Sequence, residues 1–168
     1  MKGFENLSPV QLDELLEAHA LVTVLVGLAD GQLDREERTW SVRLVEVHTY
    51  VEPLDLRKFF DKVLADFSEK TAALAADLPA DAAARNETIS QKLARLNDIF
   101  PLLDAEVAYR IYRSLVGLAA ETAKASGGFL RIGAVNAAEN AWVKLPMLRP
   151  ISRPANMVEA GDEKEEEG

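Results

Sequence analysis

An all-α fold, a single-domain bundle of six or seven helices, is predicted by three properties of the amino-acid sequence. Apolar residues recur at helical spacing along most of the chain, and no run sustains the alternation of a strand. Helix caps and breakers punctuate the chain at Ser8-Pro9, Asp30-Gly31, Pro53, Pro79, Pro101 and Ser126-Gly127-Gly128. Finally, Gly31-x-Leu33-Asp34-x-x-Glu37-x-x-Trp40 recurs as Gly133-x-Val135-Asn136-x-x-Glu139-x-x-Trp142, at an offset of 102 residues, without gaps and with the chain's only two tryptophans. A Gly, a branched apolar residue, a short polar residue and a Glu three positions later describe a turn feeding a capped helix. The short side chain accepts from free N–H groups of the first turn, and the Glu reaches back to the cap's own N–H. Its recurrence predicts an internal pseudo-twofold duplication.

Each element has its own justification. Ser8-Pro9-Val10-Gln11 is a capping box with proline at the first helical position. Behind it Leu12, Leu15, Leu16, His19, Val22 and Val26 hold one apolar face, and from Ala20 the segment is apolar nearly all round, as in a central buried helix. It stops at Asp30-Gly31. Asp34 caps a second helix with the line Trp40, Leu44, Val47, Val51. Pro53 starts a third, the cleanest amphipathic pattern, with Leu56, Phe59, Phe60, Val63, Leu64 and Phe67 on one face. Residues 69–86 are Ala-rich; Pro79 breaks them and Asp81 caps the next helix. Ile89, Leu93, Leu96 and Phe100 keep helical spacing as far as Pro101. Asp104 opens a long helix through about Ala125, carrying Val107, Ile111, Leu115 and Leu118. Paired glycines end it. Asn136 is expected to cap a last helix to about Leu148. Residues 1–149 thus form the domain and 150–168 a flexible acidic tail.

Composition narrows the function. There are 28 acidic and 19 basic residues, a net charge of −9, which disfavours nucleic acid. The tail from Glu159 holds six acids and one lysine, a pattern usually solvated. A docking role on a basic partner is its functional alternative. The absence of cysteine excludes disulfides, thiolate metal sites and cysteine catalysis. Residues 1–9 lack the basic start and apolar run of a signal peptide, and Ala20–Ala29 is about half a bilayer span, so a soluble cytoplasmic protein is expected. No phosphate loop, dinucleotide fingerprint or nucleophile elbow is present, and no serine has a nearby His with a supporting acid in the sequence. Enzyme activity is not expected.

The stretch Leu28-Ala29-Asp30-Gly31-Gln32-Leu33-Asp34-Arg35-Glu36-Glu37, at the end of a buried helix, resembles the signature of the tellurite-resistance TerB-like helical domains. That family includes the TerB proteins and the N-terminal domain of DjlA-type co-chaperones. The resemblance covers roughly residues 8–148, with only the two turns specific. In the second turn Ile132 stands where the leading Asp is expected and Asn136 replaces the capping acid. Between Leu115-Val116-Gly117-Leu118-Ala119 and Gly133 lie about twelve more residues than between Leu25-Val26-Gly27-Leu28-Ala29 and Gly31, an insert at Glu121–Ile132. The resemblance implies divalent-cation binding, calcium in particular, and a link to tellurite or other envelope and oxidant stress.

The residues themselves allow two readings of the first turn. Asp30, Asp34, Glu36 and Glu37 put four carboxylates within eight residues, and hard cations need clustered oxygens. The spacing is not that of an EF-hand loop. Capping and the helix dipole account for Asp34 and Glu37 without any metal. Asn136 and Glu139 offer a weaker set in the second turn. Trp40, Trp142, Phe59, Phe60 and Phe67 read as core. His19 reads as a hydrogen-bonded core residue, and His48 lacks the spacing of a metal pair. The sequence therefore points to a metal-responsive binding module with protein partners, or to a purely structural or protein-interaction domain whose turns are caps alone.

Overall fold

A computed structural model describes residues 1–28, 54–126, 142–155 and 157. All regular structure among the described residues is helical. Five helices of eleven residues or more are α1 (Pro9–Gly27), α2 (Leu54–Ala65), α3 (Phe67–Asp77), α4 (Ala82–Ala94) and α6 (Ala105–Ser126), with a single turn, α5 (Leu96–Ile99), and a 3-10 turn at Phe100–Leu102 between the last two. The helix predicted from Asp34 and the start of the one predicted from Asn136 lie outside the described residues, as do both turns of the predicted duplication.

The capping box forms as its chemistry requires. Ser8 Oγ accepts from the Gln11 N–H at 3.3 Å, and the Ser8 N–H donates to Gln11 Oε1 at 2.9 Å. Beyond that start, every residue from Ala18 to Gly27 is buried. A helix without a polar side has to be covered on all sides, and α1 packs against α2, α3, α4, α5 and α6 in turn. Among the described helices it is the central one.

The apolar line read as one helix from Pro53 through Phe67 belongs to two. The backbone leaves helical geometry at Asp66 (φ −121°, ψ 10°), and Phe67 opens α3. Aspartate is a poor interior residue and a good boundary one. The turn redirects α3 along α1, where Phe67 and Thr71 are buried. Leu56, Phe59, Phe60 and Val63 fill the space from α2. Phe59 and Phe60 meet edge-on at 5.3 Å between centroids, Phe60 meets the His19 ring at 5.6 Å, and Phe4 stacks on Phe59 at 5.4 Å. Phe4 brings the N-terminal segment into the core, and the Gly3 carbonyl accepts from the Asp104 N–H at 3.1 Å. Gly3 sits at φ 83°, where a Cβ would come within 2.8 Å of Val107 Cγ2.

Past Pro79, Asp81 caps α4 through the Ala84 N–H at 2.9 Å. Asp104 Oδ1 accepts from the Glu106 N–H at 3.0 Å where α6 begins. Ala108, Ile111, Leu115, Leu118 and Thr122 line the buried face of α6 at alternating spacings of three and four. The helix continues through Glu121–Ser126, so the first part of the insert is a helical extension.

The last helix ends sooner than Leu148. Trp142 and Val143 are helical, and Leu145 takes φ 47°. The cause is Pro146, which has no N–H to give and crowds the residue before it out of the α region. Leu145 and Leu148 are both buried in the resulting turns, while Trp142 and Ile151 pack partly buried against the core. Asn97 fastens this segment: its Nδ2 donates to the Met147 carbonyl at 2.8 Å, and its Oδ1 accepts from the Arg149 N–H at 2.8 Å.

Urea unfolding will rank three substitutions. Phe60→Ala should lose about 3–5 kcal/mol by leaving a cavity. Asp81→Ala should cost about 1 kcal/mol as a lost cap. Asp66→Ala, whose side chain makes no cap hydrogen bond, should stay within about 0.5 kcal/mol.

Candidate functional site

The carboxylates singled out in the sequence, Asp30, Asp34, Glu36 and Glu37, lie outside the described residues, as do Asn136, Glu139, Trp40 and His48. What is described is the platform from which the acidic segment departs. Leu28 closes α1, its N–H donating to the Val24 carbonyl at 3.0 Å. Its own carbonyl accepts from Arg85 Nη2 at 2.8 Å. Arg85 Nη1 also donates to the Ala80 carbonyl at 3.3 Å, and the residue is only 6% exposed.

Sequence reading does not single out Arg85, although a signal exists. It stands four residues before Ile89 and eight before Leu93, in register with the buried face of α4. A charge in that register must find partners inside the fold. Here they are carbonyl oxygens: the exposed negative pole of α1's C-terminal turn and the residue preceding the Asp81 cap. Among the described residues no carboxylate forms an ion pair with Arg85, and its Nε has no hydrogen-bond partner. The guanidinium is therefore a buried positive charge bonded to the carbonyl of Leu28, the residue two before Asp30 in the chain.

A second polar pair lies deeper. His19 Nε2 and Ser114 Oγ are 3.0 Å apart, joining α1 to α6, and both residues are buried. The Ser114 hydroxyl donates its single proton to the Ile111 carbonyl at 2.8 Å, so it accepts from His19 and the ring carries its proton on Nε2. In sequence spacing no serine has a nearby His with a supporting acid; the fold brings His19 to Ser114 across 95 residues. The exposures of His19 and Ser114 are 0% and 1%, so a substrate reaches Ser114 only if α1 and α6 separate. The pair serves as a polar tie within the core.

On the opposite side of α1 an open groove of about 460 Å³ runs beside α3. From α1 it is edged by Val10, Asp13, Glu14 and Glu17, and from α3 by Lys70, Ala73, Leu74 and Asp77. A smaller hollow of about 200 Å³ near the N-terminus includes the half-buried Arg110, which is already bonded to Glu106 at 2.9 Å. Among the described residues no three ligating side chains are grouped to hold a metal ion. No helix among them is long and apolar enough to cross a membrane.

Comparison with known proteins finds no matching family, no matching curated protein and no matching solved structure.

Arg85→Met keeps most of the side-chain stem and removes the bonds to Leu28 and Ala80. It should cost about 2–3 kcal/mol in urea unfolding, since hydrogen bonds to a charged group carry more than neutral ones. Faster amide exchange in the last turn of α1 should accompany the loss. Unchanged exchange there would mean that the end of α1 does not depend on the guanidinium.

Proposed function

We propose that this chain is a non-enzymatic helical binding module of TerB type, cytoplasmic and working with protein partners. In this reading the Asp30–Glu37 segment takes a divalent cation of calcium type and biases those contacts, in a setting of tellurite or other envelope and oxidant stress. The supporting observation is the fixed end of α1. A helix buried from Ala18 to Gly27 and held at the Leu28 carbonyl by Arg85 gives the four-carboxylate segment a rigid point of departure. Pre-organisation of that kind lowers the cost of gathering like charges around a cation.

Arg85 also favours a second reading, an interaction domain without a metal. Its buried guanidinium brings a positive charge to the start of the acidic segment, where it can serve Asp30 as a counter-ion in place of an added cation.

Thermal unfolding of metal-stripped protein with and without millimolar Ca²⁺ separates the two. Under the first reading wild-type protein gains about 2.7 kcal/mol at a hundredfold excess over Kd, and Asp30→Ala gains nothing. Under the second, Ca²⁺ leaves both unchanged. Asp34→Ala is the poorer probe, because losing a cap costs about 1 kcal/mol in either case.

A further inference from the structure

The groove between α1 and α3 has a regular construction. Val10, Asp13, Glu14 and Glu17 obey the i, i+3, i+4, i+7 rule on α1, and Lys70, Ala73, Leu74 and Asp77 obey it on α3. Each stripe spans roughly 10 Å of helix axis, two turns. The valley between two such stripes matches the ridge of a third helix. Its lining includes apolar side chains: Leu74 is half-buried, and Val10 at 64% is the most exposed large apolar side chain among the described residues.

The rim carries four carboxylates and one ammonium. Glu14 and Glu17 are drawn toward α4 by Arg95 and Lys92, and Lys70 is turned to Asp66 at 3.8 Å. Asp13 and Asp77 have no ion-pair partner among the described residues. Asp77 is the more telling of the two. It is the last residue of α3, at the negative pole of the helix, and no basic residue lies in that turn. A carboxylate there works against its own helix and becomes favourable only when a cation approaches from outside.

We propose that this groove binds an amphipathic helix of a protein partner, basic on its flanks and apolar along its centre. A few apolar side chains would rest on Val10 and Leu74 while lysines or arginines reach Asp13 and Asp77. The chain's own acidic tail has the wrong charge, and a second copy of a protein with net charge −9 is repelled. This inference deepens the protein-partner reading above, and it uses no residue of the Asp30–Glu37 segment.

The test uses the full chain in EDTA, so that failure of the cation reading leaves it untouched. The probe is a fluorescein-labelled synthetic helix of about 14 residues with leucine and lysine at helical spacing. Its scrambled isomer is the control, and binding is monitored by fluorescence anisotropy. The expected result is that the helix binds at least about tenfold more tightly than the isomer. Asp13→Lys with Asp77→Lys should weaken it by about tenfold or more, and Val10→Ser by about threefold. Glu5→Lys with Asp98→Lys, an equal change in charge away from the groove, should have little effect. Circular dichroism melts confirm that these exposed substitutions leave the fold intact. Equal binding of both peptides, or equal loss in both charge-reversed pairs, overturns the proposal in favour of diffuse attraction. Self-association seen by sedimentation and abolished by Val10→Ser overturns it in favour of a second copy.

Discussion

Covering α1 on every side is the constraint on which the other features depend. Ten consecutive residues, Ala18 to Gly27, are out of contact with water, which a helix in a small protein achieves only as the central member of a bundle. Five other helical elements supply the cover. The helix's ends leave backbone groups without intrahelical partners, and any polar side chain on its buried stretch needs a partner within the protein. The N-terminal end answers with its own sequence, the Ser8–Gln11 box. Among the described residues, the C-terminal end takes its side-chain partner from Arg85, 57 residues away.

The polar groups of the core obey the same rule. His19 meets Ser114, and the Ser114 proton goes to its own helix at Ile111. Thr23 and Thr71 return their hydroxyls to the carbonyl four residues back, at 3.0 and 2.7 Å. Of these bonds only His19–Ser114 joins two helices, and α1 and α6 are the pair in most extensive contact. A buried hydrogen bond between particular residues penalises any register slip that leaves one of them unpaired, so this pair fixes how the two longest helices meet.

Most of the described architecture is legible in the sequence, for a physical reason. Caps and breakers act locally, so Ser8, Pro79, Asp81 and Asp104 mark their boundaries correctly. Helical periodicity likewise identifies Leu15, Phe59, Phe60, Ile89, Leu93, Ile111 and Leu115 as core. What periodicity does not register is a change of direction that preserves the pattern. The break at Asp66 leaves the apolar line from Leu56 to Phe67 uninterrupted, so Phe67 reads as the end of one helix although it opens the next. Pro146 is legible and outweighs the helical pattern around it. Arg85, Asn97 and the meeting of His19 with Ser114 depend on contacts 50 to 95 residues apart, which no local rule reaches. Of the candidate site, the sequence proposes acidic residues that lie outside the described ones, while the structure contributes the buried charge at Leu28.

That charge bears on how the acidic segment can work. Alpha carbons two residues apart are at most about 7.6 Å from one another, so an ion on Asp30 would sit on the order of 10 Å from the guanidinium at Leu28. At an effective dielectric constant of about 20, repulsion between that guanidinium and a divalent ion amounts to about 3 kcal/mol. A single carboxylate is in any case too few for a hard cation, which takes about six to eight oxygen ligands. A cation site in this segment therefore has to recruit Asp34, Glu36 or Glu37 beyond their duties at the helix start. A metal-free segment needs only Asp30 to lean toward Arg85. The two proposed arrangements make opposite use of one buried arginine, so Arg85 bears on both as directly as the number of acids does.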